Sequence, residues 1–173
     1  MHPYTENFDS YTTSSTYSDN NGIAPNCWTT YSTNTTYGPP HITSSGSYHY
    51  VHSGSNCMVF TCGSAGSDAY AALPEFDQPL NTLKINFWRA MESTTNGSTL
   101  TVGYVTNLNN IASSFVTVAT IPSVSDSNGD TISVDFTGAT TISPSTSFAI
   151  SLIFIVMEFI RAGSCGSRPG KWS

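Results

Sequence analysis

The stretch Leu73–Glu92, LPEFDQPLNTLKINFWRAME, decides the fold. Pro74 and Pro79 bracket an irregular lead-in, because proline lacks the N–H that a central strand needs. From Leu83 the residues alternate. Leu83, Ile85, Phe87 and Met91 share one face, and Lys84, Asn86, Trp88 and Glu92 share the other. A period of two places the faces on opposite sides of a sheet, so the odd face is predicted to be core. Arg89 interrupts that face near its end. Two readings of it stand: it pairs with a carboxylate at the rim, or it binds an anionic ligand.

Working outward, the same logic recurs. Tyr4–Phe8, Trp28, Ser47–His52, Met58–Thr61, Asp68–Leu73, Leu100–Val105, Phe115–Ile121 and the alternating Ile132, Val134 and Phe136 read as short strands. Phe148–Val156 reads as one continuous apolar strand. Residues 10–26 and 32–47 read as polar loops, the second broken by Gly38-Pro39-Pro40. Asn96-Gly97 predicts a hairpin between the strands on either side of it. Asp126–Asp130 resembles the start of a calcium loop. It lacks glycine at the sixth place (Thr131) and glutamate at the twelfth (Thr137), so a plain hairpin turn is expected. Short strands without a helical period predict an all-β, two-sheet β-sandwich of jelly-roll type.

The totals agree. The chain has 173 residues, enough for one domain with a sizeable core. Only 9% are charged, while about 50 are Ser or Thr. That is the composition of extracellular β-sandwiches. Nine Phe, nine Tyr and three Trp argue for a packed core rather than a disordered polar chain. A net charge of −6 argues against nucleic acid as a partner. Phe148–Ile160 is apolar but too short to span a bilayer, so no membrane insertion is expected. No secretory signal is visible at Met1–Ser10, which for this composition points to a fragment of a longer chain. Cys27, Cys57, Cys62 and Cys165 form no CxxC. They read as small buried residues, with pairing of Cys27 to a distant partner as the other reading.

Catalytic signatures are missing. There is no Gly-x-Ser-x-Gly and no His-Glu-x-x-His. His49 and His52 fall on opposite strand faces and cannot share a metal. The carboxylates Glu75/Asp77 and Glu6/Asp9 stand at strand edges and turns, where solvated carboxylates are ordinary. No enzyme is predicted. Two binding sites are. Glu6 and Asp9 flank the end of the first strand and Asp68 opens another, so a sandwich could gather them around calcium, which takes several oxygen ligands. The alternative is that Asp9 caps a turn and Glu6 faces solvent. Tyr48 and Tyr50 share a strand face and Trp88 lies on the polar face of its strand; they form a candidate glycan platform, against the alternative that they are core, and Arg89 is a further ligand-binding candidate through its anion reading.

Four segments, taken in order and spacing, carry a resemblance. Tyr4–Asp9 (YTENFD), Pro25–Trp28 (PNCW), Ala69–Phe76 (AYAALPEF) and Leu80–Trp88 (LNTLKINFW) look like the choice-of-anchor J and cleaved-adhesin domains of bacterial surface proteins. Those domains are similar in fold to the MAM-like, concanavalin-like sandwiches. The resemblance covers about residues 4–150. It implies a secreted or cell-surface, non-catalytic module that binds a host or matrix protein or a glycan, some members carrying structural calcium. The alternative is a carbohydrate-binding accessory module of a secreted glycosidase or peptidase. The chain departs from the family after Ile150. An Ile-Asp-Asn type closing strand is expected, yet Leu152–Ile160 is followed by a tail holding Arg161, Arg168 and Lys171, three of the five basic residues. This predicts a domain of residues 1–156 and an irregular tail over 157–173, truncated or frame-shifted. A sandwich lacking its closing strand is expected to be poorly soluble or oligomeric.

Overall fold

A computed structural model of the chain describes residues 3–13, 24–34, 36, 38–44, 50–61, 67–76, 78–90, 99–122, 128–139, 147–152 and 155–163, the last two segments by their backbone. The strands are β1 (Pro3–Glu6), β2 (Thr29–Ser32), β3 (His41–Ser44), β4 (Asn56–Phe60), β5 (Ala69–Glu75), β6 (Lys84–Ala90), β7 (Leu100–Val105), β8 (Phe115–Ile121), β9 (Asp130–Asp135), β10 (Ser147–Leu152) and β11 (Ile155–Gly163). They form two antiparallel sheets. One runs β3-β4-β11-β6-β9, with β1 on β11; the other runs β2-β5-β10-β7-β8. The all-β, two-sheet jelly-roll expectation is met.

The core lies between the sheets. Leu83, Ile85 and Phe87 are all buried in it, with Phe87 fully so, as the alternation predicts. They meet Ala69, Ala71 and Leu73 of β5 and Leu100, Val102 and Tyr104 of β7. Phe8 and Trp28 join them, their rings edge to face at 6.0 Å.

Pro74 is inside β5 rather than in an irregular lead-in. Its place explains why it is tolerated. The pairing of β10 with β5 shifts between Ser147↔Glu75 and Ala149↔Ala72, so Leu73 and Pro74 form a bulge. The pairing of β2 with β5 has already stopped at Thr29↔Ala72. No ladder bond is asked of the proline nitrogen.

Three further expectations are corrected. The polar loop over 32–47 contains β3, whose His41, Ile42 and Thr43 are all buried. Tyr50–His52 is not a strand; residues 45–49 lie outside the described residues. The strands on either side of the two expected hairpins do not pair, because β6 and β9 belong to one sheet and β7 and β8 to the other; residues 96–97 and 126–127 lie outside the described residues. Among the described residues, only β3–β4 and β7–β8 are consecutive and paired. Turn chemistry marks where the chain bends and not which sheet it enters next.

The largest correction concerns the C-terminal region. Phe148–Val156 is not one strand. β10 ends at Leu152 in one sheet and β11 begins at Ile155 in the other. β11 then runs past the expected boundary at 156 to Gly163. Its first residues pair with β4, Ile155↔Phe60 to Met157↔Met58. Its later ones pair with β1, Phe159↔Glu6 to Gly163↔Pro3. Its other side pairs with β6. The position of a closing strand is therefore filled by the stretch read as a foreign tail. An apolar run has no period of two, so it hides the break between two strands; residues 164–173 lie outside the described residues. Cys27 is also a correction, being exposed, while Cys57 is buried as expected; Cys62 and Cys165 lie outside the described residues.

Candidate functional site on the five-stranded sheet

Alternation along β2, β5, β7 and β8 sends Trp28, Ala69, Ala71, Leu73, Leu100, Val102 and Tyr104 into the core. The intervening residues Tyr31, Tyr70, Gly103, Val105 and Phe115 therefore face outward. There they build a second cluster, with Tyr70, Ala72 and Val105 packed against Ile111 of the short helix α1 (Ile111–Ser114) and against Phe115. Tyr31 stands directly opposite Tyr70 in the ladder. Their rings lie 6.1 Å apart, tilted by 37°. Tyr70 meets Phe115 edge to face at 5.7 Å. Phe115 reaches inward from the edge strand because Gly103 leaves room: a Cβ there would come within 2.9 Å of Phe115 Cζ and would also strike the Val116 carbonyl. The result is a row of three aromatic rings across the face.

The row is graded in exposure. Tyr70 is 6% exposed, whereas Tyr31 is 43% exposed. A buried ring thus supports an open one. The rim next to Tyr31 is polar. Tyr70 Oη donates to Asp68 Oδ2 at 3.3 Å. Thr33 N–H donates to the Asp68 carbonyl at 2.9 Å, and Asp68 N–H to Thr33 Oγ1 at 2.8 Å. Asn34 Nδ2 donates to Ser67 Oγ at 3.1 Å. Chemically this is an open aromatic ring beside one carboxylate, hydroxyls and an amide, suited to a neutral polyhydroxylated ligand that stacks C–H groups on the ring and shares hydrogen bonds with the rim.

The residues expected to form the glycan platform sit elsewhere. Trp88 is 7% exposed and lies on the outer face of the six-stranded sheet, packed with Cys57 and Ala90 under Tyr50 and Val51. His52 stacks on it at 5.3 Å. Gly129, at φ +71°, passes so close that a Cβ would strike the indole. The Trp88 ring is thus covered, and Tyr50 is part of the cover. Tyr48 lies outside the described residues. Arg89 is 1% exposed and pairs with Asp130 by two bonds, Nε to Oδ1 at 2.7 Å and Nη2 to Oδ2 at 3.2 Å. Arg89 thus has a carboxylate partner, while its Nη1 is buried with no hydrogen-bond partner among the described residues.

The three carboxylates expected to hold calcium have separate occupations. Glu6 is buried rather than solvated, 8% exposed. Its Oε1 accepts the Phe8 N–H at 2.7 Å, and its Oε2 accepts the hydroxyls of Tyr11 at 3.0 Å and Tyr4 at 3.3 Å. Trp28 Nε1 in turn donates to Tyr4 Oη at 2.9 Å. Burial, with the Glu6 charge beside them, pushes the Tyr4 and Tyr11 phenols up from their usual value. Asp9 does cap a turn: its Oδ1 accepts from Ser55 N at 2.7 Å and from Asn56 N at 3.0 Å. Gly54, at φ +74°, is required there because a Cβ would collide with the Asp9 carboxylate. Asp68 belongs to the rim around Tyr31. Among the described residues no three His, Cys, Asp or Glu come together as a group able to hold a metal ion.

Sequence reasoning missed Tyr31, Tyr70 and Phe115. Tyr70 and Phe115 fall on strands that the sequence predicts, and alternation places Tyr70 opposite the small core residues Ala69 and Ala71. Tyr31 gave no such signal, since β2 is four residues between two polar loops.

No protein-family profile matches the chain, and no curated protein sequence matches it significantly. In three dimensions it is similar to the K2 cleaved adhesin domain of Lys-gingipain, with a TM-score of 0.67 at 18% identity, over 94% of this chain and 98% of that one. The K1 cleaved adhesin domain of Lys-gingipain from Porphyromonas gingivalis W83 gives a TM-score of 0.61 at 17% identity, over 85% and 95% of the two chains. A C-terminal family 22 carbohydrate-binding module of Clostridium thermocellum gives 0.52 at 14%, over 91% and 90%. At these identities the likeness is one of fold: the chain has the adhesin-like jelly-roll sandwich.

Proposed function

We propose that this chain is a non-catalytic, extracellular binding module of the adhesin type, related to the choice-of-anchor J and cleaved-adhesin domains, and that it binds a glycan on the outer face of its five-stranded sheet. The observation that carries the reading is the exposed Tyr31 ring held beside buried Tyr70, with Asp68, Thr33 and Asn34 at its edge. Stacking places the sugar, and the polar rim selects among its hydroxyls. Tyr31 and Asp68 take these roles from Trp88 and Tyr50, which are engaged in packing. Adhesin and carbohydrate-binding domains among the structural neighbours support a binding role over a catalytic one, and support a secreted or surface location.

A glycan array followed by titration calorimetry tests the proposal. Tyr31→Ala is expected to weaken the best ligand by about tenfold or more, the loss typical of a central aromatic anchor. The thermal midpoint should stay within a few degrees, because an exposed residue is removed. Binding that survives Tyr31→Ala but is lost with Trp88→Ala would put the site on the other sheet. Saturable binding of a host or matrix protein, with no glycan bound, would replace the glycan by a protein partner.

A further inference from the structure

The basic residues of the chain are Lys84, Arg89, Arg161, Arg168 and Lys171. Lys84 and Arg89 stand on β6 and Arg161 on β11, both strands of the six-stranded sheet; residues 168 and 171 lie outside the described residues. His41 on β3 and His52 against Trp88 belong to that side as well. β2, β5, β7, β8 and β10 carry no basic residue, and neither do α1 and the connection leading into it. The charges of this sheet are acidic: Glu75 at the end of β5 and Asp68 just ahead of its start. The length of β5 sets the two roughly 20 Å apart, beyond the range of a screened surface charge in ordinary salt. The charge that a ligand stacked on Tyr31 meets is therefore that of Asp68.

We propose that Asp68 is the specificity residue of this face: it confines the ligand to neutral sugars and rejects sugars that carry a carboxylate or sulfate. This rests on the glycan reading and names its substrate class. Thr33 clamps the Asp68 main chain through the carbonyl and the N–H, and the Tyr70 hydroxyl holds Oδ2, so the carboxylate is fixed beside the aromatic pair. Arg89 is engaged with Asp130 on the other sheet, and among the described residues no cation pairs with Asp68. A fixed carboxylate without a competing cation accepts a sugar hydroxyl in a charge-assisted hydrogen bond. An anionic group in the same place meets like charge, and the sheet offers no lysine or arginine to offset the repulsion. Rejection of the wrong ligand is thus built into the residue that holds the right one.

Titration calorimetry of the whole chain with matched sugars is the test. The probes are cellotetraose, mannotetraose and galactotetraose, each compared with the same oligosaccharide oxidised at C6 to its uronate. The wild type is expected to bind a neutral member about tenfold or more tightly than its uronate, as a like-charge contact at a protein surface demands. Asp68→Asn keeps an oxygen for the Tyr70 hydroxyl and should bring the two within about threefold of each other. Asp135→Asn, which removes a charge from the other sheet, should leave the wild-type ratio unchanged and so separates a local effect from that of net charge. Asp68→Ser replaces Asp68→Asn if that variant does not fold with a native circular dichroism spectrum. Uronates bound by the wild type as tightly as neutral sugars, a ratio that survives the loss of the Asp68 charge, or an equal fall in Asp135→Asn each overturns the role of Asp68 and leaves the glycan reading standing. No binding of any of these sugars overturns both.

Discussion

Replacing Glu6 by alanine removes one buried carboxylate and strands three donors. The Phe8 N–H at 2.7 Å is the most costly, because it is buried and its partner is charged. A lost bond of that kind is worth about 1.5–3 kcal/mol. The hydroxyls of Tyr11 and Tyr4, at 3.0 and 3.3 Å, are half-buried and recover part of their loss from water, at roughly 0.5–1 kcal/mol each. Phe8 adds to the bill: its φ of 64° is unfavourable for a residue with a Cβ, and the bond to Glu6 helps to hold it. The sum is about 3–5 kcal/mol, roughly a 10 °C fall in melting temperature for a chain of this size. Glu6→Gln keeps one carbonyl for the Phe8 N–H and should cost about 1–2 kcal/mol. Urea and thermal melts of both variants measure this, run with and without millimolar calcium. A loss below about 1 kcal/mol for Glu6→Ala refutes the hydrogen-bond account. If chelator lowers the wild-type midpoint as far as the substitution does, Glu6 is an ion ligand; no calcium dependence through Glu6, Asp9 and Asp68 is expected.

Two other outcomes follow from burial. Phe87→Ala should cost about 3–5 kcal/mol in a denaturant melt, because a fully buried ring is removed between the sheets; a loss below about 1 kcal/mol would mean the residue is not core. Stability should also fall in alkali. Tyr4 and Tyr11 are held above the usual 10.0 in the folded state. Above about pH 10 the unfolded chain loses these protons while the folded chain keeps them, so the contribution is complete below that pH and disappears as the pH climbs toward the folded-state values. Urea midpoints measured against pH should fall from about pH 10 upward, more steeply than in Tyr11→Phe.

The sandwich was readable because its main strands alternate. Leu83, Ile85 and Phe87 mark the core face, and β7 and β8 fall on the residues predicted for them. Three things were not readable, each for a physical reason. β3 is four residues long and follows two prolines, too short to show a period. β11 joins an apolar run without alternation, so its first residues merge with β10 and its later ones resemble a tail. The site was the least visible. Trp88 and Tyr31 both lie opposite the core face of their strands, but Trp88 is roofed by Tyr50, His52 and Gly129 while Tyr31 is not. What covers an outward residue is decided by loops distant in sequence, which local pattern does not encode. Glu6 failed likewise: two phenols and a backbone amide converge on it from positions whose arrangement is set by the fold of Pro3–Trp28.

The placement of β11 also bears on how the chain is made. A ribosome emits β1 before the other described strands of the sandwich, yet β1 pairs through Pro3↔Gly163 and Glu6↔Phe159 with a strand emitted long afterwards. β4 and β6 likewise flank β11 and do not pair with one another. Until residues 155–163 have left the exit tunnel, the six-stranded sheet has no middle. Nascent chains therefore carry β3–β4 and β6–β9 as unjoined pieces with their apolar faces open to water. Folding of this kind waits on contacts of very high sequence separation, which makes it slow and places the period of greatest exposure during synthesis itself.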